Sequence, residues 1–175
     1  MRSRNRRGAY SVSVSKDYLT FSAAHFLTIP SHKCEFLHGH NYVVTVTAEA
    51  AMDRTTGFVV DFAVVKRLLR PMIDALDHRV LVPTENPQVA LRAEGELTAV
   101  EYRGSRRFLF PTAHVAQVPV SDTTAELLAE YLCHAVVDGL AGEVQNLRRV
   151  GVDVEESPGQ SGRFEFVIEG AEEEQ

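Results

Sequence analysis

The pair His38-Gly39-His40 heads the run Tyr42-Val43-Val44-Thr45-Val46-Thr47-Ala48, which is rich in β-branched residues. That composition suits a pleated strand. A strand beginning at the pair sends both imidazoles from one face, because side chains two apart share a face. The glycine between them points to close approach of another group to the backbone. His25 lies thirteen positions before His38, at the end of the strand-like stretch Phe21-Ser22-Ala23-Ala24-His25. If the two stretches run side by side, a third imidazole joins the pair. Three neutral nitrogen ligands with a fourth position open is the arrangement of catalytic zinc, whereas structural zinc closes that position with another protein ligand. A lone His-x-His pair is most often an ordinary surface pair, so the constraint comes from the segments together. Cys34, four positions before His38, is not needed as a ligand. It is placed to stand beside the metal as a thiolate base or nucleophile. The competing reading is a small buried apolar residue.

The 175 residues, 45% of them hydrophobic, suffice for one domain with a real core. A net charge of −6 with no basic block beyond the first seven residues argues against nucleic acid as a partner. No apolar run approaches the ~18 residues of a membrane span, and the leading Met1 to Arg7 lacks the apolar region of a secretory signal. The two cysteines, Cys34 and Cys133, do not form a disulfide framework, which points to a reducing cytoplasm. The expected organisation is a disordered segment 1–9, a single domain over 10–170 and an acidic tail 171–175.

Tyr10 to Val14 and Tyr18 to Phe26 read as one long strand bulged near Lys16-Asp17, with Tyr42 to Ala51 as its antiparallel partner. Asp61 is placed to cap a helix over 62–76, in which Pro71 predicts a kink or break. Leu97 to Tyr102 and Arg107 to Phe110 form a hairpin around Arg103-Gly104-Ser105-Arg106. Thr123-Thr124-Ala125-Glu126 has capping-box spacing before a second helix running to Leu140. Arg149 to Glu156 and Arg163 to Ile168 make a last strand pair. The fold class is therefore α+β, a four-stranded antiparallel sheet with helices on one face and an inserted hairpin. Such an open sheet has two edges to protect. A closed ring of sheets from several copies would remove them, and a monomer with charged edge strands is the alternative.

With these motifs in order, the chain resembles the 6-pyruvoyltetrahydropterin synthase and 6-carboxytetrahydropterin synthase family. The carrying segments are Phe21-Ser22-Ala23-Ala24-His25, Cys34-Glu35-Phe36-Leu37-His38-Gly39-His40, Leu76-Asp77-His78-Arg79-Val80-Leu81, Thr123-Thr124-Ala125-Glu126 and Val154-Glu155-Glu156-Ser157. The resemblance covers about 10–82 and 119–168, with 83–119 an insertion. It implies the tunnelling fold (T-fold), a homo-oligomer of trimers stacked as a hexamer, and active sites between subunits. It also implies Zn2+ on His25, His38 and His40, and Cys34 as a catalytic residue partnered by Asp77 and His78 in proton transfer. Read without the resemblance, His78 is a histidine satisfying carbonyls at a helix C-terminus.

Glu156 corresponds to the glutamate that clamps the pterin ring, since a carboxylate accepts two parallel hydrogen bonds from the amidine edge. Glu155 would face the other side of the sheet, so the assignment depends on register. Thr123 and Thr124 are expected beside the ring, although a plain helix cap fits them equally. Lys33, Arg67 and Arg79 are candidates to meet a triphosphate. His32, His114, His134 and Cys133 are read as structural or surface residues.

The resemblance implies a cytoplasmic lyase that converts 7,8-dihydroneopterin triphosphate to 6-carboxy-5,6,7,8-tetrahydropterin, acetaldehyde and triphosphate, on the route to queuosine and related 7-deazapurines. The short spacing from Cys34 to His38 sets this reading first. The alternatives are the triphosphate-eliminating lyase that forms 6-pyruvoyltetrahydropterin and a zinc- and pterin-binding protein without turnover.

Overall fold

The structure, a computed structural model, describes residues 9–168, so the expected acidic tail and nearly all of the expected disordered start lie outside the described residues. Strand β1 runs Tyr10–His25 and pairs antiparallel with β2, His38–Ala50. Their register slips between Ser15 and Thr20, at the bulge expected near Lys16-Asp17. Helix α1 spans Phe62–Leu76, and the Asp61 carboxylate accepts from the Ala63 N–H at its start. Its buried residues Val65, Leu69, Ile73 and Leu76 repeat at helical spacing against the sheet. Burying a side chain such as Leu69 contributes about 2 kcal/mol. The break expected at Pro71 does not occur, and one helix continues through it. Pro71 lies on the solvent side, where water can satisfy the carbonyl that the proline leaves without a donor.

The expected four-stranded sheet proves larger. Short strands β3, Arg79–Pro83, and β7, Val115–Val118, extend it beyond β1. With β8, Leu147–Ser157, and β9, Gln160–Val167, the order is β7-β3-β1-β2-β8-β9. The β1–β3 and β3–β7 pairings are parallel. Parallel neighbours are joined through long connections and carry no local turn signal, so the sequence pattern did not reveal them. Strand β3 covers one end of β1, where Ala23 and Ala24 face Arg79 and Val80.

Helix α2 spans Ala125–Ala141 and packs against β8 and β9. Its N-cap is Thr124, not Thr123, with the Thr124 hydroxyl accepting from Leu127 N–H. The capping box expected from Thr123 does not form, because N3 is then Leu127 rather than an acid, and Thr123 is buried instead. Gly162 of β9 permits the close seating of this helix. A Cβ there would fall 2.4 Å from the Glu126 nitrogen and 2.6 Å from the Ala125 carbonyl carbon.

The segment expected to be an insertion, 83–119, contributes β7 to the main sheet and also carries a separate three-stranded antiparallel sheet of β4, Val89–Glu94, β5, Leu97–Tyr102, and β6, Ser105–Pro111. The expected hairpin is its β5–β6 half. Phe26, Val82 and Val100 are fully buried where this sheet meets the main one, with the Phe108 ring packed at a tilt on Phe26, 5.2 Å between ring centres.

Candidate metal centre and active site

Because β1 and β2 are antiparallel, His25 stands directly opposite His38, and Ala23 opposite His40. All three histidines therefore leave the sheet on the side that also carries the buried Phe21, Tyr42 and Val44. Gly39 allows the strands to close at this point, since a Cβ would lie 3.0 Å from the Ala23 carbonyl oxygen. One ligand nitrogen from each of His25, His38 and His40 lies within 4.8 Å of the others. The imidazole centres are 4.5 to 5.2 Å apart.

The surrounding hydrogen bonds select which nitrogens face one another. His25 donates from Nδ1 to the Thr123 carbonyl at 2.8 Å, with the Thr123 hydroxyl also near at 3.2 Å. His38 donates from Nδ1 to the Phe36 carbonyl at 2.7 Å. Both rings are thereby fixed in the tautomer that presents a bare Nε2, the orientation that a backbone carbonyl imposes on a metal-binding imidazole. His25 is 1% exposed, and its Nε2 is buried without a hydrogen-bond partner among the described residues. Burial, with help from the charges of His38 and His40, holds the His25 imidazolium down to about 4, against the opposing bond to Thr123. A neutral, desolvated nitrogen with no protein partner, facing two further imidazoles, fits a bound cation. The donor set suits zinc and other first-row ions.

Behind the ring lies support that the sequence did not reveal. The Asp122 carboxylate accepts from Thr123 N–H at 2.8 Å with one oxygen, and from the Thr28 N–H and hydroxyl at 2.9 and 2.6 Å with the other. Asn86, from the loop that leads into the insertion, donates to the Thr28 hydroxyl at 2.9 Å. An aspartate directly before the Thr-Thr helix start was the available signal. Thr123 is completely buried, with its hydroxyl also bonded to the Phe26 carbonyl, so this side chain stands behind His25. The Thr124 hydroxyl is taken up in capping the helix.

Cys34 lies in the short 3-10 turn Lys33–Glu35, partly exposed, with its carbonyl accepting from Leu27 N–H at 2.7 Å. Its thiol is not part of the ligand cluster, which among the described residues consists of three histidines. Asp77 caps the end of α1, and one of its oxygens accepts from Ser22 N–H at 2.8 Å. The other accepts from His78 Nδ1, also at 2.8 Å. The Ser22 bond foremost, then the His78 contact, lowers the Asp77 pKa below the usual carboxylate range. His78 has a left-handed backbone, φ 56°, and bonds to Asp77 rather than to a helix carbonyl. A groove of about 690 Å³ is lined by His78, His40, Ser22, Gly39 and His114, among others, and Cys34 is not among its lining residues.

The register of β8 separates the two glutamates. Val152 and Val154 face Val46 and Val44 in the core, and Glu155 pairs with Val43. Glu156 lies where the β8–β9 register shifts, close enough to Tyr42 for its charge to act on that phenol, and the Glu155 carboxylate accepts from Gly159 N–H in the turn at 3.3 Å. Burial first, and then the Glu156 charge, raise the pKa of the Tyr42 phenol, whose hydroxyl is buried without a partner. The Tyr42 ring centre lies 6.0 Å from that of His25 and 5.6 Å from that of His40. Glu156, Tyr42 and the histidines thus share one end of the sheet.

A family profile described as 6-pyruvoyl tetrahydropterin synthase matches residues 13–165. A Methanocaldococcus jannaschii protein, provisionally named a 6-carboxy-5,6,7,8-tetrahydropterin synthase, is 28% identical over 152 residues, covering 86% of this chain and 92% of that protein. The 6-carboxy-5,6,7,8-tetrahydropterin synthase of Aquifex aeolicus is 30% identical over 122 residues, 69% of this chain and 70% of that enzyme. The crystal structure of 6-pyruvoyl tetrahydropterin synthase from Plasmodium vivax superimposes with a TM-score of 0.83. It covers 93% of this chain and 100% of its own at 22% identity, a likeness of fold. No helix among the described residues is long and apolar enough to cross a membrane.

Proposed function

The chain belongs to the 6-pyruvoyl tetrahydropterin synthase family, and from that premise we propose a zinc-dependent lyase. Its reaction is conversion of 7,8-dihydroneopterin triphosphate and water to 6-carboxy-5,6,7,8-tetrahydropterin, acetaldehyde and triphosphate. One observation carries the reading: His25, His38 and His40 converge, with the buried His25 Nε2 lacking any partner among the described residues. The names of the curated relatives, including the Aquifex aeolicus enzyme, support the carboxylated product.

His25, His38 and His40 would hold the ion. When bound, it would polarise hydroxyls of the substrate side chain and stabilise negative charge that develops there. Glu156 orients the pterin by accepting from its amidine edge. Thr123 acts one layer back by fixing the His25 ring, and Thr124 stands at the helix start beside it. Cys34, as thiolate, and His78, as imidazolium supported by Asp77, exchange protons with the substrate side chain. The Asp77–His78 contact of 2.8 Å suits this role, because a carboxylate both orients the ring and stabilises its charged form.

The site is assigned to the junction between copies of a homo-oligomer, with a trimer or stacked hexamer as the expected assembly. The exposed position of His78 supports this, since it opens onto a groove to which Cys34 does not contribute. We place the enzyme in the cytoplasm, on the route to queuosine precursors.

A second reading, elimination of triphosphate to give 6-pyruvoyltetrahydropterin, is favoured by the description of the matching family. Mass-spectrometric identification of the product from 7,8-dihydroneopterin triphosphate, with metal analysis of the same sample, tests both. A carboxylated pterin with acetaldehyde is the expected result. A pyruvoyl product would replace the first reading by the second, and pterin binding without turnover would remove both.

A further inference from the structure

We infer that Arg107, carried by β6 of the second sheet, is a positioning residue that holds the Cys34 turn in place. The inference rests on the role proposed for Cys34. Residues 26–37 connect the candidate ligands His25 and His38, and the 3-10 turn within them buries none of its own residues. With no side chain of its own anchored in the core, such a turn is placed by hydrogen bonds. Two of these come from Arg107. Its Nη1 reaches Glu35 Oε1 at 3.3 Å, and its Nη2 donates to the Glu35 carbonyl oxygen at 3.4 Å. The same glutamate accepts from Ser31 N–H through Oε2 at 3.1 Å, which ties the start of the turn to its end. Ser31 has a left-handed backbone, φ 64°, a conformation that a serine holds only when its surroundings impose it.

The anchor itself is firm. Arg107 sits on β6 with its guanidinium 5.7 Å from the centre of the Tyr102 ring. The Tyr102 hydroxyl donates to the Thr28 carbonyl at 3.2 Å, and Phe108 packs on buried Phe26. Strands β5 and β6 thus grip the connecting segment at both ends, at Phe26 to Thr28 and at Glu35. The pair is partly shielded, with side chains 32% and 19% exposed, so solvent screens it less than a surface ion pair. The sheet β4–β6 therefore sets the geometry of the thiol.

The test compares Arg107→Gln, Arg107→Lys and Glu35→Gln with the parent protein in three measurements: metal content, turnover of 7,8-dihydroneopterin triphosphate, and the rate of Cys34 alkylation by iodoacetamide. Cys133 is fully buried, so alkylation of the folded protein reports on Cys34. Arg107→Gln should retain its metal while kcat falls about tenfold with KM little changed, as expected when a reacting group is misplaced. Alkylation should become about threefold faster as the turn opens more often. Glu35→Gln should behave alike, and Arg107→Lys should recover part of both effects because its single ammonium keeps the charge but not the fork. Parental kcat and alkylation rate in Arg107→Gln would overturn the inference. If Cys34→Ala is fully active, the catalytic reading of Cys34 fails instead, and the alkylation comparison still decides whether Arg107 holds the turn.

Discussion

The Nδ1–H of His25 donates to the carbonyl of Thr123, 98 positions later in the chain, over 2.8 Å. That bond ties the start of the second helix to the end of the first strand. It also decides which nitrogen of a buried imidazole is left bare. The carboxylate of Asp122 holds the same corner by accepting from the N–H groups of Thr123 and Thr28. The triad's geometry is therefore maintained from outside the ligands themselves.

Asp122→Ala should weaken zinc binding about tenfold, in the range seen when supporting hydrogen bonds behind a metal ligand are lost. His25→Ala should abolish stoichiometric binding. Competition with a chromophoric chelator measures both, and an Asp122→Ala affinity equal to that of the parent would show that the corner is held without it.

Metal-free protein should lose stability as the solution is acidified. The His25 pKa is 6.5 in an open chain and about 4 when folded, chiefly through burial. Above 6.5 neither state binds the proton, so His25 has no effect there. As pH falls toward 4, only the unfolded chain gains the proton, and stability declines. The full difference corresponds to about 3 kcal/mol. Urea unfolding between pH 7 and pH 4 checks this, with His25→Gln expected to show a shallower decline.

Zinc removal by a chelator should stop turnover, and zinc addition should restore it. Cys34→Ala should also be inactive while keeping metal content and pterin affinity near the parental values, because its thiol lies outside the ligand cluster. Loss of metal from Cys34→Ala would assign the thiol a ligand role instead.

Gly162→Ala should destabilise the fold by about 2 kcal/mol, the usual cost of an overpacked methyl group. The methyl would meet backbone of Glu126 and Ala125 rather than a yielding side chain. Because the same helix start carries Thr123 and Thr124, metal affinity should fall as well. A thermal melt with metal titration reads both.

Much of the site was legible because the chemistry is local. The alternation around His38 and His40 put both rings on one face, and the bulge near Lys16-Asp17 and the Asp61 cap lay in short-range pattern. The roles of Thr123 and Arg107 were not legible. Thr123 has the composition of a helix cap, and only the packing of α2 on β9 through Gly162 turns it toward His25. The parallel strands β3 and β7 likewise lack any local signature, whereas β4 carries one in the tight Gly95-Glu96 turn to β5, with Gly95 at φ 63°.

By itself the amino-acid order determined which residues could bind a cation, and it marked the long strands and both helices. Periodicity, turn chemistry and ligand type act over a few neighbouring positions. Tertiary structure decided which nitrogen of His25 is free, which of Glu155 and Glu156 acts on Tyr42, and what holds the loop bearing Cys34. Those outcomes depend on contacts between segments far apart in the chain, and only the folded packing brings such groups within hydrogen-bonding distance.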